Sequence, residues 1–201
     1  MKNRGILIVL SGPAGTGKGT VCKEFLKRNP DTAFSVSATT RSPRPGEENG
    51  REYFFITKDE FEEMISRDGF LEYAQFCDNY YGTPLAYVNE KLDAGQNVVL
   101  EIEVQGAMQI KKKVPDAVMV FIAPPSKKIL RERIEGRGTE TPEVIDKRML
   151  AAEEELRMSV NYDYIIVNDE VEKAVERFEI IKNAERLRTS RNSKFIQEVC
   201  E

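Results

Sequence analysis

The fold of this chain is decided by residues 6–20, Ile6-Leu7-Ile8-Val9-Leu10-Ser11-Gly12-Pro13-Ala14-Gly15-Thr16-Gly17-Lys18-Gly19-Thr20. The apolar run predicts a buried strand, the glycines a tight turn, and Lys18 the start of a helix. Glycines let backbone N–H groups converge on anionic oxygens, and the helix N-terminus adds partial positive charge. Lys18 is placed to reach the outer phosphates. The stretch therefore predicts a loop that binds a nucleoside triphosphate; the alternative is a glycine turn that only connects strand to helix.

One position departs from the phosphate-loop pattern G-x-x-x-x-G-K-[ST]. The pattern runs from Gly12 through Gly17 and Lys18, but Gly19 stands where a Ser or Thr hydroxyl normally binds Mg²⁺. Either Thr20 supplies an oxygen, or the metal is held mainly through water and phosphate. The Gly-Lys-Gly-Thr ending is similar to that of adenylate-kinase-like nucleotide kinases, so the departure bears on metal binding more than on nucleotide binding.

The composition narrows the class of protein. The 201 residues suit one domain, and no apolar run approaches the ~18 residues of a membrane span. A net charge of −4 argues against a general nucleic-acid binder, and the absence of histidine excludes His-based triads. The start of the sequence lacks a secretory pattern, and Cys22, Cys77 and Cys200 are too widely spaced for a C-x-x-C pair. We expect a cytoplasmic protein without nucleic-acid or membrane partners; the sequence leaves its oligomeric state open.

Apolar β-rich segments alternate with helical segments along the chain. Strands are predicted at residues 6–10, 98–102, 118–123 and 164–167. Helices are predicted at residues 18–27, 85–94, 105–113, 127–135, 143–158 and 171–187. This alternation is typical of a parallel sheet covered by helices on both faces. We therefore predict a doubly wound α/β fold that binds its ligands beyond the carboxyl ends of the strands.

Two regions interrupt this alternation. Residues 35–81 are richer in aromatic and alternating residues, which predicts a small, partly antiparallel insertion; its helix has a capping-box start at Thr57 and Glu60. Residues 126–156 contain two charged helices around a Gly-rich turn, and Pro142 fits a first helical position. We interpret the second region as a hinged lid.

Arg41 and Arg44 stand beside prolines and can aim two guanidinium groups at one phosphate; an exposed basic turn is the alternative. Their stretch is Ser37-Ala38-Thr39-Thr40-Arg41-Ser42-Pro43-Arg44-Pro45-Gly46-Glu47, and Asn49-Gly50-Arg51-Glu52-Tyr53 follows it. Together these segments resemble the guanylate kinase signature. Further segments match that family in order: residues 70–74, 79–83, 101–106, 121–126, 133–138 and 167–169. The resemblance extends from Gly5 to about Ala184.

This resemblance implies phosphoryl transfer from ATP to GMP, with Mg²⁺ as cofactor and dGMP as a further acceptor. It implies a single domain with a core of residues 1–34, 95–125 and 159–201, a GMP-binding insertion of about residues 35–94 and a lid of about residues 126–158. Two other interpretations stay open. One is a nucleoside-monophosphate kinase for another base, and the other is a non-catalytic guanylate-kinase-like module that binds protein partners.

The resemblance also assigns the acceptor site. For the 5′-phosphate of GMP it implies Arg41, Arg44, Tyr53 and Tyr81. For the guanine base it implies Ser37, Glu72 and Thr83. Guanine presents an N1–H and an exocyclic amine, and a carboxylate can accept hydrogen bonds from both, while hydroxyls can donate to O6. Adenine has no N1–H, so a buried Glu72 would reject it; the alternative is that Glu72 is a surface charge.

Glu101 and Glu103 stand at alternate positions late in a predicted strand, which predicts that their side chains share one face. Beside a phosphate site, two carboxylates can bind the acceptor or organise Mg²⁺ and its waters. The family more often has aspartates here, and glutamate is one methylene longer. Direct and water-mediated metal contact therefore both stay open, beside the alternative of two solvated acids.

The donor site combines the loop with residues further along the chain. The predicted ATP-binding residues are Gly12, Pro13, Ala14, Gly15, Thr16, Gly17, Lys18, Gly19, Thr20 and Asn168. The resemblance implies that Arg133, Arg137 and Arg148 close over the triphosphate and, with Lys18, stabilise charge on the transferring group. Asn168, at the start of the predicted last helix, either touches adenine or acts as an ordinary N-cap.

Overall fold

The structure is a computed structural model that describes residues 4–136 and 141–201. In chain order its strands are β1 (Leu7–Ser11), β2 (Thr32–Phe34), β3 (Ser37–Thr39), β4 (Tyr53–Phe55), β5 (Phe70–Phe76), β6 (Asn79–Pro84), β7 (Asn97–Glu101), β8 (Val118–Ala123) and β9 (Tyr164–Val167). Its α-helices are α1 (Lys18–Arg28), α2 (Lys58–Ser66), α3 (Leu85–Asp93), α4 (Val104–Lys113), α5 (Lys127–Glu135), α6 (Pro142–Arg157), α7 (Val171–Arg186) and α8 (Ser193–Cys200).

Five parallel strands form the main sheet in the order β2-β7-β1-β8-β9. Successive side chains of a strand point to opposite faces. Leu7 and Val9 of β1 accordingly join an apolar cluster with residues of α3 and α4, whereas Ile8 and Leu10 join a second cluster with residues of α1 and α7. Helices thus cover both faces, which confirms the predicted doubly wound α/β fold.

The edge strand β2 was not predicted from the sequence. It has only three residues, which is too short for the apolar run that marked the other strands of the sheet. It pairs with β7 at the edge of the sheet, and Phe34 is 42% exposed. Strands β8 and β9 and helix α5 have the predicted bounds, and the other strands and helices whose bounds were predicted differ from them by one residue at one or both ends. Helix α8 was not predicted either.

A second sheet has the order β4-β3-β6-β5. Strands β3 and β4 are parallel, whereas β6 is antiparallel to both β3 and β5, so the sheet is partly antiparallel as predicted. Helix α2 packs Phe61 between the rings of Phe70 and Tyr80, at centroid distances of 4.2 and 5.1 Å. Its predicted capping box, in which Thr57 and Glu60 bond each other's backbone, is present.

Helices α5 and α6 share a small apolar cluster of their own. The cluster consists of Leu130, Ile134, Ile145, Met149 and Ala152. Pro142 is the first residue of α6, where its missing N–H costs no helical hydrogen bond, as predicted. Within residues 4–136 and 141–201, no helix has the length and apolar character needed to cross a membrane.

A buried lysine ties α7 to the end of α1. Lys182 is 6% exposed, and its ammonium group donates to Asn29 and, at 3.3 Å, to the Asp31 carboxylate. Arg186 pairs with the other oxygen of Asp31 at 2.5 Å. Burial opposes ionisation of Asp31, yet the charges of Lys182 and Arg186 hold its pKa below the ordinary value. The network fixes the start of β2 beneath α7.

We expect Asp31→Asn to lower the free energy of unfolding by about 1–3 kcal/mol, because it leaves the buried Lys182 ammonium without its carboxylate. Urea denaturation measures this loss. Asp93→Asn is the matched control, since Asp93 pairs with Arg4 at the surface and such pairs contribute about 0–1 kcal/mol. Equal losses in the two variants would contradict the buried network.

Candidate functional site

The candidate site lies where the parallel strands end. Strand β1 ends at Ser11 and runs into the glycine-rich loop, β7 ends at Glu101, and β9 ends one residue before Asn168. Because all strands of this sheet are parallel, their carboxyl ends meet at one edge. The edge therefore collects residues that are far apart in the sequence.

The loop between β1 and α1 needs its glycines for both conformation and space. Gly12 has φ 141°, and a Cβ there would lie 2.3 Å from the carbonyl oxygen of Ile122. Gly17 has φ 83°, in the left-handed region, and precedes α1. No side chain of the described residues caps α1, and its first turn carries no acidic residue. The N–H groups at this helix end are thus open to an anion.

Lys18 lies back over the loop. Its ammonium group donates to the carbonyl oxygens of Gly12 and, at 3.1 Å, Pro13. The hydroxyl of Thr16 donates to the same Pro13 oxygen at 2.8 Å, and the Thr16 side chain is fully buried. The Thr16 hydroxyl is therefore used inside the loop, although Thr16 is among the predicted ATP-binding residues.

The Glu101 carboxylate lies against Gly19. A Cβ at Gly19 would be 3.5 Å from each carboxylate oxygen of Glu101. Burial raises the pKa of Glu101, and the nearby charge of Lys18 opposes that rise. Thr20 is exposed. Within residues 4–136 and 141–201 no three His, Cys, Asp or Glu side chains are grouped so that they could hold a metal ion.

Glu72 is a buried carboxylate. It is 8% exposed and accepts a hydrogen bond from the Thr83 hydroxyl at 2.7 Å. Burial raises the pKa of Glu72, the Thr83 hydrogen bond lowers it, and the charge of Glu103 raises it again. The alternative that Glu72 is a surface charge is therefore wrong.

The strand register brings Ser37, Glu72 and Thr83 together. Gly82 of β6 lies opposite both Ala38 of β3 and Tyr73 of β5. Continuing the β3–β6 register by one residue places Thr83 opposite Ser37, and the Thr83 hydroxyl bonds Glu72 of β5. The register of β5 shifts between Phe70 and Tyr73, next to Glu72, and such irregularities re-aim side chains beside functional sites.

Gly106 leaves room for the Glu72 carboxylate. It lies in α4, and a Cβ on it would be 3.0 Å from Oε2 of Glu72. That distance is shorter than ordinary van der Waals contact, so the glycine fits Glu72 closely against the helix.

We expect Gly106→Ala to push the Glu72 carboxylate out of position and to raise KM for the expected acceptor GMP about tenfold, with a smaller change in KM for the expected donor ATP. Steady-state kinetics with each substrate varied in turn measures both constants. Lys112→Ala, at an exposed position later in the same helix, controls for altered helix stability. An unchanged KM for GMP in the folded Gly106 variant would show that the Glu72 position is not critical.

Arg41 lies in an aromatic and acidic environment. Its guanidinium carbon is 5.6 Å from the ring centroid of Tyr53, and the rings of Tyr53 and Tyr81 are 6.1 Å apart. Nη2 of Arg41 donates to both carboxylate oxygens of Glu47 at 3.0 Å. The same carboxylate accepts the backbone N–H of Arg44 at 2.8 Å. Arg41, Tyr53 and Tyr81 are thus brought together, while the Arg44 side chain is exposed.

Glu101 and Glu103 do not share one strand face. Strand β7 ends at Glu101, and Glu103 is the residue before α4, in extended backbone. Glu101 faces Gly19, whereas the charge of Glu103 acts on Glu72 and on Glu155 of α6. The prediction that both glutamates lie in one strand is wrong, because β7 ends at Glu101.

Asn168 is not a helix cap. Helix α7 begins at Val171 with Glu170 as its N-cap residue, and α8 follows it, so both the N-cap alternative and the last-helix prediction are wrong. The Asn168 amide instead donates to the Thr16 carbonyl at 2.7 Å. Arg133 donates to the Asn168 carbonyl at 3.0 Å and reaches the Thr16 carbonyl at 3.4 Å.

Of the other two predicted lid arginines, the structure describes one. Arg148 is a half-buried residue of α6. Arg137 lies outside the described residues. The structure therefore gives the positions of two of the three predicted lid arginines, Arg133 and Arg148.

Sequence reasoning missed Glu47, Gly106 and Glu155. Glu47 stands three residues after Arg44, and a carboxylate so close to two arginines is a signal for an ion pair. Glu155 is seven residues after Arg148, which places both on one face of α6. Burial raises the pKa of Glu155, the charge of Lys18 lowers it, and Glu103 raises it. Gly106 carried no signal of its own, because its use depends on Glu72, which lies in strand β5.

Comparisons with known proteins agree on one family. A family model described as Guanylate kinase matches residues 4–185. A guanylate kinase of Latilactobacillus sakei is 56% identical over 192 residues, which are 95% of each chain. One of Shouchella clausii is 50% identical over 200 residues, covering 100% of this chain and 98% of that protein. The crystal structure of guanylate kinase from Anaplasma phagocytophilum superposes with a TM-score of 0.73 at 32% identity, over 94% of this chain and 90% of that one.

Proposed function

This chain belongs to the guanylate kinase family, and we propose that it performs the family's reaction at the carboxyl ends of its parallel strands. It is a nucleoside-monophosphate kinase that transfers the terminal phosphoryl group of ATP to GMP and gives ADP and GDP. The observation that carries the assignment of GMP is the buried Glu72 carboxylate, which Thr83 holds at 2.7 Å.

The acceptor is selected by hydrogen bonding. The ionised Glu72 accepts from N1–H and the exocyclic amine of guanine, while Ser37 and Thr83 lie beside it as hydroxyl partners. Adenine presents a bare N1 to the same carboxylate, so a buried acceptor would stay unpaired. The 5′-phosphate, of GMP or dGMP, binds Arg41 and Arg44 with Tyr53 and Tyr81, with Glu101 and Glu103 nearby. The cluster of Arg41, Tyr53 and Tyr81 supports this part of the proposal.

The donor is held by its phosphates. The free backbone N–H groups of the loop and of the first turn of α1 surround the β- and γ-phosphates, and Lys18 turns from the loop carbonyls to the transferring oxygens. Arg133, Arg137 and Arg148 add positive charge from the lid when it closes. Closure excludes water, which would otherwise accept the phosphoryl group.

Mg²⁺ fits this site through phosphates and water. Gly19 offers no hydroxyl, and the Glu101 carboxylate beside it suits an oxygen-seeking cation and its waters. The exposed Thr20 hydroxyl is a second candidate oxygen. When bound, the ion supplies charge that offsets the negative charge of the triphosphate.

We propose that residues 35–94 move as the GMP-binding region and residues 126–158 as the lid, around a core of residues 1–34, 95–125 and 159–201. The separate second sheet and the separate apolar cluster of α5 and α6 support this division. We also propose a cytoplasmic location, supported by the free thiols of Cys22, Cys77 and Cys200.

Product analysis tests the reaction. The protein is incubated with MgATP and GMP, and the nucleotides are separated by anion-exchange chromatography. We expect ADP and GDP to appear in equal amounts, and ADP to appear far more slowly without GMP. ADP formation that does not depend on GMP would contradict the proposed transfer, as would no ADP at all from folded protein.

A further inference from the structure

The phosphate loop is tied to the end of the sheet through Asn168. The backbone N–H of Asn168 donates to the carbonyl of Ala123, the last residue of β8, at 2.9 Å. Its side-chain Nδ2 donates to the carbonyl of Thr16 at 2.7 Å. Asn168 is 3% exposed, so this second bond is shielded from water. One residue therefore links the rigid end of β8 to the middle of the loop.

The bonded carbonyl decides how the loop presents its N–H groups. The peptide unit is planar, so the Thr16 carbonyl and the Gly17 N–H point in opposite directions. A side chain that holds this carbonyl also fixes the Gly17 N–H and the left-handed turn at Gly17. The fit is close, because a Cβ at Gly17 would lie 2.6 Å from Nδ2 of Asn168.

Arg133 holds the same pair of residues from α5. Its Nη2 donates to the Asn168 carbonyl at 3.0 Å, and its Nη1 reaches the Thr16 carbonyl at 3.4 Å. Two side chains from different elements thus converge on the Thr16 carbonyl. A carbonyl oxygen has two lone pairs, so it can accept from both.

The amide orientation of Asn168 follows from its neighbour. The Thr16 carbonyl accepts hydrogen bonds, so the amide group that faces it is the NH₂ group. The other end, Oδ1, is buried and has no hydrogen-bond partner among the described residues. Replacing the NH₂ group with an oxygen would set two acceptors against each other without changing the shape of the side chain.

We infer that Asn168 is a positioning residue of the phosphate loop, which sets the Gly17 turn through the Thr16 carbonyl. Its effect therefore falls on the phosphates of any donor, whatever the base. The inference rests on the proposed function only in taking this loop as the donor phosphate site. A residue that only read adenine would affect ATP and leave a donor without adenine unchanged.

The test measures binding of ligands with and without a base. Inorganic tripolyphosphate, ATP and GTP, each with Mg²⁺, are titrated calorimetrically into the wild type and into Asn168→Ala. Loss of one buried hydrogen bond leaves the competent loop less populated, so we expect all three affinities to fall by a similar factor of about ten. Weaker binding of ATP with unchanged binding of tripolyphosphate would overturn the inference, and so would unchanged binding of all three.

Two further variants keep the test decisive. Asn168→Asp preserves shape and removes the donor, so it should weaken tripolyphosphate binding at least as much as Asn168→Ala; binding at the wild-type level would contradict the inference. Asp169→Asn is the control, since Asp169 pairs with Arg177 at 2.9 Å at the surface, and it should bind all three ligands as the wild type does. Circular dichroism checks the fold of each variant. Production of GDP by the wild type is assayed separately, so failure of the proposed function and failure of this inference are distinguishable.

Discussion

We expect Lys18→Ala to lower kcat by about 10²–10³-fold, because in the proposed reaction the Lys18 ammonium group stabilises the transferring phosphoryl group. The fold should persist, since Lys18 is only half-buried and lies at the start of α1 rather than in the core. We expect the free energy of unfolding to change by less than about 1 kcal/mol. Coupled measurement of ADP release with saturating MgATP and GMP gives kcat.

Lys23→Ala is the matched control for this prediction. Lys23 lies on the same helix and is exposed, so its loss removes the same charge away from the loop. We expect its kcat to stay within about twofold of the wild type, as is usual for a surface change. Turnover near the wild-type level in a folded Lys18 variant would show that the loop does not act on the transferring group.

Glu72→Gln should reverse part of the acceptor preference. The carboxamide keeps the size of the side chain but presents one donor and one acceptor, which suits N1 and the amine of adenine better than the two donors of guanine. We expect kcat/KM for GMP to fall by about 10²–10³-fold while that for AMP stays level or rises. Parallel kinetics with the two acceptors measures the ratio.

The control for Glu72→Gln is the same substitution at a carboxylate outside the acceptor site. Glu63 of α2 is exposed and pairs with Arg67, so Glu63→Gln should keep the wild-type ratio of GMP to AMP. If Glu72→Gln lowered kcat/KM for both acceptors equally, Glu72 would have a structural role and the base would be read elsewhere.

The sequence predicted those parts of the molecule that depend on local patterns. Continuous apolar runs indicated β1, β7, β8 and β9, and helical periodicity indicated α1 and α3 to α7. The three-residue strand β2 was not predicted, because it forms by pairing with β7 and its own three residues show no strand pattern. Its register cannot be read from residues 32–34 alone.

The site was predictable in its residue types and less so in its contacts. The resemblance named Glu72 and Thr83, but the hydrogen bond between them arises from the pairing of two strands. Asn168 was placed at a helix start, whereas its amide bonds a loop 152 residues away in the sequence. Gly106 serves Glu72 from another element. Contacts of this kind are set by tertiary packing, which no local pattern encodes.

The most direct test of the central claim is an acceptor panel. Wild-type protein and MgATP are mixed with GMP, AMP, CMP or UMP in parallel, and ADP release is followed by a coupled assay. We expect rapid release with GMP and, for the other three, rates close to the background without acceptor. A rate with AMP equal to or above that with GMP would contradict the assignment of Glu72 to guanine and, with it, the proposed reaction.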